Sequence, residues 1–152
     1  MPGSLIPGDL QRIQAHVEDT SGEFVLNHFV ASDGAKVAGR LDDGSTFIGQ
    51  VPTIVPAQRQ DGTCVFLVDA RCTIHPVSPF GCAYHDVHLG EVDANQRSEF
   101  AVLKQLEAHR DPSSDYTTMV KLLDNLNLTA SPMMERKQAY LEMINELEHP
   151  RV

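Results

Sequence analysis

No stretch of the 152-residue sequence approaches the roughly 18 consecutive apolar residues that a membrane-spanning helix requires, which argues against an integral membrane protein. Basic residues are scarce. Twelve Lys and Arg stand against 21 Asp and Glu, and a net charge of -9 repels both phosphate backbones and anionic lipid, so neither nucleic acid nor a membrane is an expected partner. The N-terminal Met1-Pro2-Gly3-Ser4-Leu5-Ile6 lacks the basic and apolar regions of a secretory signal, and the expected location is the cytoplasm. Cysteine is rare too: there are three, an odd number, and a reducing compartment does not support a disulfide framework. What remains is a chain that is 41% hydrophobic and 22% charged, too apolar for disorder and long enough to bury a core. It reads as a single domain over 1–152, with a cysteine-cluster region over 5–92 and a helical region over 93–152.

Helical spacing of Leu10, Ile13 and Val17 after Pro7-Gly8 predicts a first helix capped by Asp9, and Ser21 caps a second from Glu23 to about Val30. From Ser32 to Gln60 the turn residues Asp33-Gly34, Asp42-Asp43-Gly44, Gly49, Pro52 and Pro56 punctuate short β-prone pieces, among them Thr46-Phe47-Ile48 and Thr53-Ile54-Val55. Cys64–Val68 and Arg71–His75, separated by Asp69-Ala70, read as a tight β-hairpin that Pro76 and Pro79 terminate. After Gly90 the chain turns helical. Asp93 with Gln96 resembles a capping box opening a helix that ends near His109, Tyr116 to Leu126 mark another, and Ser131-Pro132 opens a last one with Tyr140, Ile144 and Leu147 as its stripe. The expected fold class is α+β: a small β-hairpin and loop carrying the cysteines, packed against N-terminal and C-terminal helices. Phe100, Leu103, Leu106, Met119, Leu123, Tyr140, Ile144 and Leu147 are the expected main core, with the cysteine site at its edge.

All three cysteines fall within residues 64–82, in the order Cys64-x7-Cys72-x9-Cys82-x2-His85-x2-His88. Thiolates and imidazoles are the donors that Zn²⁺ and iron–sulfur clusters favour, and a hairpin followed by a proline-stiffened loop can bring separated donors together. The competing reading is structural, because free cysteine is among the most buried residue types and packs as a small hydrophobe. His85 and His88, three apart, suit one side of a helical turn beside Cys82, and Asp86 between them can orient an imidazole. A third possibility is a cysteine nucleophile, Cys82 with its pKa depressed by nearby histidines. No glycine-rich phosphate loop and no nucleophile elbow occurs.

Asp61-Gly62-Thr63-Cys64-Val65-Phe66-Leu67, Cys72-Thr73-Ile74-His75 and Pro79-Phe80-Gly81-Cys82 together resemble the second half of the signature of the bacterial YkgJ-type cysteine-cluster family, described as a zinc- or iron-chelating domain. The likeness is dense over about 61–88, and Leu5-Ile6-Pro7-Gly8-Asp9-Leu10 resembles the helix that follows that family's first cysteines. It implies that Cys64, Cys72 and Cys82 are ligands and that His75, where the family accepts an aromatic residue, packs or hydrogen-bonds. Two departures stand out. The family's C-x-x-C-C group ahead of the first helix has no counterpart here, and Ser78 stands where Arg is common. Either that group lies upstream of Met1 or the site is a reduced one completed by His75, His85, Asp86 or His88. The expected function is therefore metal binding, Zn or an iron–sulfur cluster, through Cys64, Cys72, Cys82, His85 and His88, with no activity or protein partner assigned. The alternatives are a metal-free interaction or scaffold module with core cysteines, and a thiol- or metal-dependent enzyme.

Overall fold

The first two helices illustrate two ways of starting. Gly8 takes a left-handed conformation (φ 95°), open to glycine at no steric cost, and delivers the chain into α1 (Asp9–Val17). Asp9 is thus the first residue of the helix and not its cap, and its side chain is released for other partners. Ser21 does cap α2 (Gly22–His28), accepting the Phe24 N–H at 3.1 Å. The computed structural model describes residues 3–34, 36–40, 43–83 and 90–130.

Where the periodicity carried α2 on to Val30, the helix stops at His28 and the chain passes directly into strand β1 (Phe29–Ser32). The reason is packing: Phe29 adopts extended backbone (φ -131°) and is fully buried. β1 pairs antiparallel with β4 (Thr53–Pro56) in a register from Phe29↔Pro56 to Ser32↔Thr53. Between them β2 (Lys36–Arg40) and β3 (Thr46–Gln50) form their own antiparallel pair. That hairpin stands away from the core, with Ile48 exposed. The third pair, β5 (Leu67–Val68) and β6 (Arg71–Cys72), is much shorter than the expected hairpin. Asp69 and Ala70 connect it with φ of 49° and 60°, both central residues left-handed as in a type I′ turn.

A 3₁₀ turn over His75–Val77 and the short α3 (Phe80–Ala83) follow. α4 (Glu91–Arg110) begins after Gly90, ahead of the Asp93 start inferred from the capping-box pattern. Ser114 caps α5 (Asp115–Asn125), accepting the Thr117 N–H at 3.2 Å. The chain then returns to β1, where Ala31 donates to Leu128 O (2.8 Å) and accepts from Ala130 N (2.7 Å). This mixture of helices and small antiparallel sheets is an α+β fold. The final helix expected from Ser131-Pro132 lies outside the described residues.

The core differs from the expected one. Its fully buried side chains include Leu5, Ile13, Phe29, Ile54, Ile74 and Leu123, drawn mostly from the N-terminal two-thirds, and among the described later helices only α5 contributes a cluster, Tyr116, Val120 and Leu123. Leu106 and Met119 are half-buried, Phe100 is 44% exposed and Leu103 58% exposed. α4 packs instead through Ala101 and Gln105. A buried polar hub explains the choice. Leu5 O accepts from Gln105 Nε2 (2.9 Å), Tyr116 OH (2.8 Å) and Thr53 Oγ1 (3.2 Å), so the face of α4 that carries the amide must turn inward.

Candidate functional site

Each cysteine sits in a different local structure. Cys64 precedes the short hairpin, bridges antiparallel to Gln58, and is half-buried against the core. Cys72 ends β6 opposite Leu67 and is exposed. Cys82 lies in α3, its N–H donating to Pro79 O at 2.9 Å, and the residue is exposed. The reading of all three as core cysteines therefore fits only Cys64.

A side chain outside the motif organises the Cys64 loop. Arg59 Nη1 donates to Cys64 O (2.8 Å) and Leu67 O (2.8 Å), and Nη2 to Val65 O (2.9 Å), so one guanidinium gathers three carbonyls, of which Cys64 O also accepts from Leu67 N at 3.0 Å. Asp61 secures the turn before it, accepting from the N–H (2.9 Å) and hydroxyl (2.7 Å) of Thr63. These bonds hold the Asp61 carboxyl below its ordinary range.

Cys82 is placed by the N-terminal segment. Asp9 Oδ2 accepts from Ile6 N (3.0 Å) and from Phe80 N (2.9 Å), while its other oxygen pairs with Arg12 at 2.7 Å. Arg12 in turn reaches Ser78 O at 3.1 Å. Gly81 N donates to Ser4 O at 2.9 Å, and a side chain at position 81 would meet Ser4 N and Oγ at 2.5 Å, so the two backbones touch where only glycine fits. Gly3 completes the approach through a backbone hydrogen bond to the Cys82 sulfur.

The electrostatics tie the three sulfurs together. Although Cys82 as a residue reaches solvent, burial of its thiol pushes the pKa from 9.0 up to about 11, and charge on Cys64, Cys72 and Asp9 pushes in the same direction, against the Gly3 hydrogen bond. A nucleophilic cysteine needs the opposite shift, so the depressed pKa expected at Cys82 is not found. Cys82 lies within reach of the field of Cys64 and of Cys72, yet among the described residues no group of three or more His, Cys, Asp or Glu side chains is arranged to hold a metal ion. His75 is exposed on the 3₁₀ turn and not packed. His85, Asp86 and His88 lie outside the described residues.

The chain gives no significant match to any protein family, curated protein or solved structure. The likeness of residues 61–88 to the cysteine-cluster family rests on its letters alone. Among the described residues no helix is long and apolar enough to cross a membrane.

Proposed function

We propose that Cys64, Cys72 and Cys82 are thiolate ligands of a metal centre, Zn²⁺ or an iron–sulfur cluster, in a protein resembling the YkgJ-type family. The observation that carries this reading is that Cys82, in α3, feels the charge of both Cys64 and Cys72, sulfurs drawn from two other pieces of chain, and a cation bound among them would offset that repulsion. The soft donors suit either metal. Three thiols leave a tetrahedral site one donor short, and His85 or His88 would supply the fourth. When bound, the metal holds the thiols deprotonated; the chain's own part is positional, through Arg59 at Cys64 and the Asp9–Phe80 bond at Cys82.

The metal-free interaction module is the second reading, favoured by the half-buried packing of Cys64. Elemental analysis of anaerobically purified protein separates the two. Stoichiometric Zn or Fe that is lost in Cys72→Ser and retained in His16→Ala, an exposed histidine on α1, supports the metal centre. Metal-free protein, unchanged in hydrogen exchange by a chelator, overturns it.

A further inference from the structure

A groove of about 450 Å³ runs between the N-terminal segment and the junction of α4 with α5. That volume is within the roughly 300–1,000 Å³ of small-molecule sites. Buried Leu5, Ile54 and Tyr116 form its bottom, and half-buried Ala108 also lines it. None of the three cysteines does, so the groove is separate from the thiols.

The polar atoms at the bottom are already engaged. Tyr116 OH donates to Leu5 O at 2.8 Å and meets Thr53 Oγ1 at 2.8 Å, while Leu5 O takes further bonds from Thr53 and Gln105. Leu5 N donates to Ile54 O at 2.9 Å. At depth the groove therefore presents hydrocarbon and a phenol ring, which suit an apolar body and leave a polar one without compensation for its lost water.

The rim has the opposite character. Glu107, Asp111 and Asp115 are exposed there against one cation, Lys104, which Glu107 holds at 3.0 Å. Three carboxylates against one ammonium leave an excess of two, and neither Asp111 nor Asp115 enters an ion pair among the described residues. Ser113 donates to Asp111 Oδ1 through its N–H (2.9 Å) and its hydroxyl (2.6 Å), bonds that hold this carboxyl below its ordinary range and so ionised. The chain as a whole, at -9, adds a field of the same sign.

We infer that this groove binds a small organic cation, an ammonium group on an apolar body, with the body over Ile54 and Tyr116 and the charge at Asp111 and Asp115. The same rim repels an anion, and a neutral molecule of equal size gains nothing from the carboxylates.

Calorimetric titration of the full chain with n-hexylammonium, and with 1-hexanol as its neutral analogue, separates the two contributions. The ammonium should bind one-to-one and about fivefold more tightly than the alcohol, the scale of two solvent-exposed ion pairs. Asp111→Asn combined with Asp115→Asn keeps an acceptor for Ser113 and leaves the apolar bottom intact; it should weaken hexylammonium by about the same factor and leave hexanol unchanged. The methyl resonances of Ile54 and Ala108 should shift during the wild-type titration. Unsaturable binding of hexylammonium, equal affinity for the alcohol, unchanged affinity in the double variant, or shifts confined to other parts of the protein each overturn the proposal.

Discussion

Asp9 Oδ2 lies 2.9 Å from Phe80 N across 71 residues of sequence, and through this bond α1 fixes the start of the helix that bears Cys82. The same oxygen holds Ile6 N–H, so Asp9→Ala leaves two part-buried donors without their acceptor. A loss of about 2–6 kcal/mol follows from unsatisfied groups at roughly 1–3 kcal/mol each. Urea unfolding should read that loss, and hydrogen exchange should place the first loosening at residues 78–83.

The raised pKa of Cys82 fixes the sign of two effects. Below pH 9 the metal-free thiol is protonated, so alkylation by iodoacetamide should be slower than at an ordinary exposed cysteine until the pH nears 11. A group whose folded pKa lies above its unfolded value contributes stability that is present below the unfolded pKa and lost as pH rises through the folded one; metal-free protein should therefore weaken between pH 9 and about 11. Metal-loaded protein should respond in the opposite sense, releasing metal as acid returns protons to the sulfurs. A Cys82 that alkylates as readily as Cys72 at pH 8 would contradict the first expectation.

Leu123 and Phe100 offer a direct contrast. Leu123 is fully buried, and Leu123→Ala should cost about 2–5 kcal/mol. Phe100→Ala should cost clearly less in the described core, because the ring is already 44% exposed. Parallel denaturant titrations of the two variants measure the difference, and equal losses would mean that α4 is buried on both sides by the core itself.

The hairpin turn should improve on mutation. Ala70 sits at φ 60°, where a side chain costs roughly 1–2 kcal/mol that glycine avoids. Ala70→Gly is accordingly expected to raise the unfolding midpoint or leave it unchanged, after the greater unfolded-state freedom of glycine is set against that gain. A lowered midpoint would show that the turn is not strained.

The parts of the fold that the sequence announces are those with local causes. Ser21 and the Asp61-Gly62 turn act on neighbours two or three residues away, so their letters suffice. The observed core departs from the expected one at Phe100 and Leu103 because a helical stripe states that a face is apolar, not which body covers it. Gln105, a polar letter, proved the inward residue since its amide answers a carbonyl 100 positions away. The closeness of the three cysteines is a property of the letters. Arg59 and Asp9, which position their loops, are not legible there, because neither stands in a motif; the turn-rich loop around Arg59 and the early acidic residue after Gly8 are the available signals.

The carbonyl of Leu5 joins the earliest residues of the chain to Thr53, Gln105 and Tyr116, the last of these 111 positions on. A chain made from its N-terminus can offer this oxygen to Thr53 first, and the set of partners is complete only when α5 has left the ribosome. At about 5–20 residues per second the delay amounts to roughly 5–20 s, during which Leu5, Ile13 and Phe29 have no completed interior to enter. Such long-range closure favours slow folding and exposes the nascent segment to chaperones, a liability that belongs to the order of synthesis and is invisible in the finished molecule.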